Sequence, residues 1–413
     1  MTTTQATPPA PDHPSFGERE MIAMMAMLMS LQAFGMDVML PALGEMDREL
    51  GAGGNDRQLV IGLYLLGSGV GAIFPGVVAD RFGRRPVIAF ALICYVGFSL
   101  ACAFATDFTS LVAMRFGQGL GTAALSVMPA TIIRDQMGGD KMARMMSLVM
   151  MVFMLVPLIA PALGQIVLDL AGWRAIFGLM VVTGVIVSGW VYLRLPETLA
   201  ARNRQKIDPP TIARNMIAAL SERSSVGYVL ASGLIFGALF GFLNTAQQLI
   251  GEAFDAQEDF ALVFAAAVSG LVLANFTNSR IVEKFGARRV SHTALFVFIL
   301  TGGLQLLSSS NPDQTLIEFV VLLAVNMALL GFIGANFGSI SMQPFYKISG
   351  AASSAQTFVR TIMGAVIGML VGQAYDGSAL PFAVALVCAG CGALLLVLIS
   401  ERGKLFTRPN APN

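Results

Sequence analysis

The chain has 413 residues, of which 55% are hydrophobic and only 12% are charged, with a mean hydropathy of +0.72 and a formal net charge of +1. Soluble domains carry about 25% charged residues. A soluble protein of this length cannot hide so much apolar surface, so the composition indicates an integral membrane protein in a lipid bilayer. The balanced charge and the lack of a basic cluster argue against nucleic acid as a partner.

Residues 1–19 are polar and rich in Pro, and they predict a disordered tail without a cleavable signal peptide, because the first apolar run is too long for one. Twelve apolar runs follow, each long enough to cross a bilayer, which takes about 17–25 residues. The runs cover residues 20–44, 57–79, 86–106, 108–133, 143–169, 173–194, 226–250, 259–281, 290–309, 314–341, 351–376 and 379–401.

The distribution of Lys and Arg predicts the topology. Twenty-one of the 26 fall on the side of the two termini and three on the other side, so both termini are expected in the cytoplasm of a bacterial inner (plasma) membrane protein. The one long loop on that side divides the spans six and six, and its segment TIARNMIAAL predicts a short amphipathic helix. The predicted units are the cytoplasmic tail 1–19, a bundle at 20–194, a cytoplasmic connector at 195–225, a second bundle at 226–401 and a cytoplasmic tail at 402–413.

The two halves of the chain repeat each other. The segment ADRFGRR at 79–85 follows the second span, and VEKFGAR at 282–288 follows the eighth, at an offset of 203 residues. A match at equivalent topological positions indicates a duplicated unit. We therefore predict an all-α integral membrane protein with 12 transmembrane helices in two pseudo-symmetric six-helix bundles.

The turn between spans two and three, GVVADRFGRRP at 76–86, resembles the signature G-x-x-x-D-R-x-G-R-R of the major facilitator superfamily. The resemblance implies the major facilitator fold. It also implies a latch between spans two and eleven that holds an outward-open state, whereas the arginines can instead be charges that set the topology of the turn. The implied latch residues are Gly76, Asp80, Arg81, Gly83, Arg84 and Arg85.

Four further segments resemble proton-coupled drug exporters. RFGQGLG at 115–121 is similar to their helix-four motif R-x-x-Q-G-x-G, and DVMLP at 37–41 lies where exporters of the bicyclomycin/chloramphenicol-resistance type carry an acid followed by Leu-Pro. Span five, with Pro157, Pro161 and Gly164, resembles the antiporter motif of these exporters, and GWRAIF at 172–177 resembles the start of their span six. Span five departs from the pattern GPxxGG at two residues, Ala160 and Gln165. This departure leaves open whether the transport is strict antiport.

Asp37 and Arg115 are predicted at similar depth, about 9 and 10 Å from the outer face at 1.5 Å per residue. Each charge is costly in hydrocarbon, so both are expected to face the bundle interior and to communicate directly, through water or through a substrate. On the functional interpretation Asp37 accepts a proton or a substrate, and Arg115 assists it. On the alternative interpretation the two form a fixed structural ion pair.

Arg360 is predicted close to the middle of the membrane, with no acid at its depth in the second half. It can contact an anionic or hydrogen-bond-accepting substrate, or it can have a structural role. Amides within spans also commonly form helix–helix hydrogen bonds, and of Gln247 and Gln248 at most one can be central. The predicted cavity residues are Gln32, Phe34, Tyr64, Asn244, Gln247, Asn336 and Arg360.

We find no sequence motif for a nucleotide, a metal or a cofactor, and no nucleophile–base set, so we expect neither a cofactor nor an enzyme. The four cysteines, all in apolar runs, are interpreted as packing residues. The sequence favours a monomeric, proton-coupled secondary transporter that exports small, partly hydrophobic compounds by alternating access. One alternative is a metabolite or organic-anion carrier, which Arg360 favours. Another is a non-transporting receptor, against which the presence of both Asp37 and Arg115 speaks.

Overall fold

The computed structural model of the chain describes residues 17–137, 139–199, 204, 208–345 and 348–406. Most of both predicted tails and part of the predicted connector lie outside the described residues. So do the connector residues Arg202 and Lys206 and the loop residue Lys347, which entered the charge count. Within the described ranges the regular structure is helical throughout.

Seventeen α-helices occupy these ranges. In chain order they are α1 (Glu18–Asp37), α2 (Leu43–Leu50), α3 (Leu59–Gly71), α4 (Phe74–Phe82), α5 (Arg84–Ala103), α6 (Phe108–Thr122), α7 (Ala124–Gln136), α8 (Gly139–Phe153), α9 (Val156–Ala171), α10 (Trp173–Arg194), α11 (Pro209–Ser221), α12 (Arg223–Gln248), α13 (Phe260–Phe285), α14 (Ala287–Ser309), α15 (Leu316–Met342), α16 (Ser349–Gln373) and α17 (Leu380–Ser400).

Joined across their short breaks, these helices give eleven segments in the described part of the chain that are long and apolar enough to cross a membrane. They become twelve when α3 and α4, which meet at an angle of 46°, count as one bent span. The twelve spans and the two six-helix bundles confirm the fold predicted from the sequence. The short helix predicted at TIARNMIAAL is also present, as α11.

Four spans that the sequence predicted as continuous are broken, one of them at Ala123 between α6 and α7, and the other three breaks each follow from a proline. Helix α1 ends at Asp37, α3 at Gly71 and α8 at Phe153, in each case four residues before a proline. A proline lacks the N–H that would bond to the carbonyl four residues earlier, and its ring clashes with that carbonyl. The breaks are therefore encoded by the prolines in DVMLP, GAIFP and FMLVP.

The two bundles meet along α3–α4 and α16, which run antiparallel. A β-carbon added to Gly62 or Gly69 would collide with Met369 or Ile362, whereas one added to Gly76 would reach only Ser354, at 4.0 Å. The spacing of these helices thus widens toward the side that carries both chain ends. We call this the termini side and the opposite side the distal side.

On the distal side the two bundles are joined by polar contacts. Arg57 and Glu252 form an ion pair at 2.6 Å between the bundles, and the Asn55 amide donates to the backbone carbonyl of Gln373 at 3.0 Å. The Gln58 amide donates to the side-chain oxygen of Gln248. Beside it, the hydroxyl of Tyr375 donates to the backbone carbonyl of Gln248 at 3.2 Å. Burial raises the pKa of Tyr375 to about 12, so this hydroxyl keeps its proton at neutral pH.

Candidate functional site

Asp37 is the last residue of α1, and only 1% of its surface is exposed. Neither carboxylate oxygen has a hydrogen-bond partner within the described ranges. The break caused by Pro41 places this acid at a free helix end, where the chain turns through residues 38–42 before α2 begins. Asp37 is thus a buried carboxylate whose two oxygens are unpaired in the described part of the chain.

Tyr64 on α3 fixes the position of α1 just before Asp37. Its hydroxyl donates to the backbone carbonyl of Gln32 at 2.8 Å, and the side chain of Gln32 bonds to Ser68 one turn further along α3. Gly35 leaves room for the rings of Tyr64 and Tyr95 to approach the α1 backbone. Gln32 and Tyr64, both predicted to line the cavity, therefore connect α1 to α3 beside the acid.

Arg115 on α6 is fully buried and is held within the first bundle. Its Nε donates to the Val60 carbonyl at 3.1 Å, and a second nitrogen donates to Gln118 at 2.5 Å. The guanidinium carbon lies 4.2 Å from the centre of the Tyr64 ring, a cation–π distance. Among the described residues Arg115 makes no ion pair with Asp37, and Tyr64 lies within electrostatic range of both. The fixed ion pair of the alternative interpretation is not formed.

Gln118 is a partner of Arg115 that the sequence analysis did not single out. It accepts from Arg115 and donates to the hydroxyl of Ser99 at 2.8 Å, so it links α6 to α5. The signal was present in the spacing R-x-x-Q, because residues three apart on a helix share a face. The pair holds the guanidinium in one orientation.

The glycines of the R-x-x-Q-G-x-G motif allow α6 to approach its neighbours. A β-carbon on Gly119 would collide with the backbone carbonyl of Tyr64, and one on Gly67 of α3 would collide with that of Phe116. Gly121 lies against Cys94 on α5 in the same way. Small residues at such crossings let membrane helices pack by close backbone contact.

The span-five motif contacts the break after Asp37. A β-carbon on Gly164 of α9 would collide with the Val38 carbonyl, so the missing side chain lets α9 cover the end of α1. Pro157 lies in the first turn of α9, and Pro161 is buried within it. Of the two departures from the antiporter pattern, Ala160 is buried, and Gln165 donates to Asp169 on its own helix at 2.8 Å.

Two adjoining cavities lie in the second bundle and at its boundary with the first. The apolar cavity, of about 210 Å³, is lined by α8 and α9 of the first bundle and by α12, α13 and α15 of the second, with Met150, Phe153 and Phe236 in its wall. The polar cavity, of about 220 Å³, lies between α12, α15 and α16 and includes Arg360. The guanidinium carbon of Arg360 lies 4.6 Å from the centre of the Phe236 ring, at the boundary of the two.

Other predicted cavity residues have different surroundings. Asn336 donates to Asn278 at 2.7 Å and so connects two helices of the second bundle. Gln247 lies against Gly44 on the distal side, next to the last residue of α12. Asn244 is buried against Gly368 with no hydrogen bond among the described residues, and Phe34 is half-buried beside the core.

The latch residues form a cluster on the termini side. Arg84 pairs with Asp80 at 2.7 Å and with Asp135 at 2.8 Å, and Gly83 turns the chain with φ +105°. Glu197, after α10, accepts from the backbone nitrogens of Arg84 and Arg85 at the start of α5, a contact that the sequence analysis missed. Asp80 makes no hydrogen bond or ion pair with α16 in the described part of the chain, Arg81 is exposed, and Gly76 lies nearest Ser354.

A model of the Major Facilitator Superfamily matches residues 25–369. The chain belongs to the major facilitator superfamily. This facilitator is thus a multi-pass membrane transporter of small molecules. Over 361 residues it is 28% identical to a bicyclomycin resistance protein homolog of Haemophilus influenzae. The aligned residues are 87% of this chain and 90% of the relative.

A multidrug resistance protein MdtL of Citrobacter koseri is 25% identical to the facilitator over 377 residues, which are 90% of this chain and 93% of the relative. Among solved structures, a D-xylose-proton symporter has a TM-score of 0.73 at 14% identity, and the human organic anion transporter MFSD10 has 0.70 at 15%. Each alignment covers 94% of this chain and 100% of the other. At these identities the two structures share the fold alone.

Proposed function

We propose that this facilitator is a proton-coupled transporter of a bacterial inner membrane that exports small, partly hydrophobic compounds by alternating access, working as a monomer. The observation that carries the proposal is Asp37, a buried carboxylate with both oxygens open, at a helix break held by Tyr64 and Gly164. The names of the bicyclomycin and multidrug resistance relatives support the class of cargo.

Coupling follows from the cost of burying this acid. An ionised carboxylate without hydrogen bonds in an apolar interior costs several kcal/mol. A proton removes the cost by neutralising the group, and a substrate that donates to Asp37 removes it by compensating the charge. Two ligands that relieve the same cost exclude each other, so a proton entering on one side displaces a substrate toward the other. Arg115, held by Val60 and Gln118, supplies a constant positive field beside this exchange.

The arrangement of the bundles corresponds to one half of an alternating-access cycle. If the termini side is cytoplasmic, the closed distal contacts and the wider termini side make this an inward-facing form. Where α3–α4 packs against α16, Gly62 lies against Met369 and Gly69 lies against Ile362. If the two helices kept this antiparallel register to their ends, Asp80 would lie beside the first turn of α16. A helix N-terminus favours an anion, so closure on the termini side would bring the latch acid to its site.

The test compares the Asp37→Asn variant with the wild type in cells challenged with bicyclomycin and in proteoliposomes. We expect wild-type protein to lower drug accumulation and to release protons when the drug is added, and we expect the variant to lose both by about tenfold or more, in line with typical losses for proton-transfer groups. Asp169→Asn, an exposed acid on α9, is the matched control. Unchanged drug-driven proton release in the Asp37 variant would refute the coupling role.

A second candidate, a carrier of organic anions or metabolites, is favoured by one observation. Arg360 lines a cavity without an acidic partner among the described residues. The same bicyclomycin assay, repeated with carboxylate substrates, distinguishes the two, since a carrier of anions alone would not respond to the drug.

A further inference from the structure

Arg360 is a half-buried cation that lies over an aromatic ring. Its guanidinium carbon lies over Phe236 at 4.6 Å, and its Nε has no hydrogen-bond partner within the described ranges. No Asp or Glu lies within ion-pair distance of it in that part of the chain, where every ion pair of the second bundle uses another cation. A cation–π contact offsets only part of the desolvation cost of a guanidinium, so the site favours an added anion.

The polar cavity is built to leave this guanidinium available. Gln356, one turn before Arg360, is engaged elsewhere, because its amide nitrogen donates to Ser225 and to the Ser341 carbonyl while its oxygen accepts from the Ser341 hydroxyl. It therefore ties α12, α15 and α16 together and makes no hydrogen bond to Arg360 among the described residues. The hydroxyls of Ser232 and Thr357 line the cavity and make no hydrogen bond among the described residues.

The polar and apolar cavities lie end to end along α12 and α15. Ser232 and Phe236 lie one turn apart on α12, the first in the polar cavity and the second in the apolar one. Gly338 and Gly334 repeat that order one turn apart on α15. On each helix, one turn thus lines the polar cavity and the neighbouring turn lines the apolar cavity. The Arg360–Phe236 pair lies where the two cavities meet. Together the cavities reach the size range of sites for drug-sized ligands, about 300–1,000 Å³.

We infer that this site binds amphiphilic monocarboxylates, with the carboxylate on Arg360 and the hydroxyls beside it, and the apolar body against Phe236, Met150 and Phe153. A guanidinium offers a carboxylate two parallel N–H donors, a geometry that neutral ligands cannot use fully. The inference rests on the proposed transport function and adds the class of cargo. Arg360, in the second bundle, thereby adds a second contact for the cargo to the one proposed at Asp37 in the first.

The test measures binding by the full-length protein in nanodiscs without a proton gradient, by titration calorimetry with 1-naphthylacetate and its neutral amide, 1-naphthylacetamide. We expect the wild type to bind the carboxylate tighter than the amide by on the order of tenfold, the value of one charge-assisted hydrogen bond. Arg360→Gln should lose the preference for the carboxylate and keep its affinity for the amide. Arg360→Lys should keep part of the preference. Retained binding of the amide also reports that the variant is folded.

Arg280→Gln is the matched control, since Arg280 also lies over a phenylalanine ring, that of Phe276, but on an exposed face of α13. It should leave the preference unchanged. Equal affinity of the wild type for the two compounds, no saturable binding of the carboxylate, or a preference that survives in Arg360→Gln would overturn the inference. Asp37→Asn should retain the preference, so a failure of proton coupling and a failure of the carboxylate site give different results.

Discussion

At the scale of single residues, the candidate proton site is asymmetric. Arg115 has its contacts fixed within the first bundle, through Val60, Gln118 and the Tyr64 ring, whereas Asp37 has none for its oxygens. The cation is held in place and the acid is unpaired among the described residues, which is the arrangement expected if Asp37 exchanges ligands. Spacing alone placed both residues in the interior, but it left open whether they pair, because that depends on side-chain directions that only the packed helices determine.

Gln118→Met should therefore destabilise the protein by about 1–3 kcal/mol, because it leaves a guanidinium nitrogen of Arg115 without its partner in a buried site and removes the amide that donates to Ser99. The measurement is thermal unfolding in detergent, together with drug efflux, which should fall as the guanidinium loses its orientation. Gln165→Met, at a residue that bonds only within its own helix, serves as the control. Equal melting temperatures for the two variants would contradict the anchoring role of Gln118.

At the scale of elements, prolines and glycines decide where spans break and where they touch. The positions of the twelve spans followed from hydropathy, since a membrane helix must satisfy its backbone internally. The breaks after Asp37, Gly71 and Phe153 could have been read from the proline four residues later, because that effect is local. The contact of Gly164 with Val38 could not, since it depends on how two distant segments pack.

Gly164→Ala tests that contact. The added methyl group would meet the Val38 carbonyl, and overpacking of this kind costs about 1–3 kcal/mol. Gly178→Ala on α10, where a β-carbon meets nothing within 4 Å, should instead be neutral or stabilising by up to about 1 kcal/mol. Both are read from unfolding in detergent and from efflux at matched expression. A Gly164 variant as stable as the Gly178 variant would show that α9 does not brace the helix break.

At the scale of the whole molecule, the two bundles are closed on the distal side and separate toward the termini side. Arg57 with Glu252 and Asn55 with Gln373 carry the distal closure, and none of these four was singled out from the sequence. The reason is physical: a contact between loops of different bundles exists in one conformation only, so neither hydropathy nor a motif within one bundle encodes it. The repeat at offset 203 predicted the two bundles but not their relative tilt.

The central claim is that one interior site is reached alternately from the two sides, and a distal cross-link tests it most directly. The double variant Asn55→Cys/Gln373→Cys, in a background without the four native cysteines, joins the bundles where they already touch. Glu49→Cys/Arg174→Cys, a contact within the first bundle, is the matched control. Drug efflux is measured before oxidation, after it, and after reduction.

We predict that oxidation of the Asn55–Gln373 pair stops efflux and that reduction restores it, because the distal side can no longer open, while the oxidised Glu49–Arg174 control keeps exporting. Export by the fully cross-linked Asn55–Gln373 protein at its reduced rate would contradict alternating access.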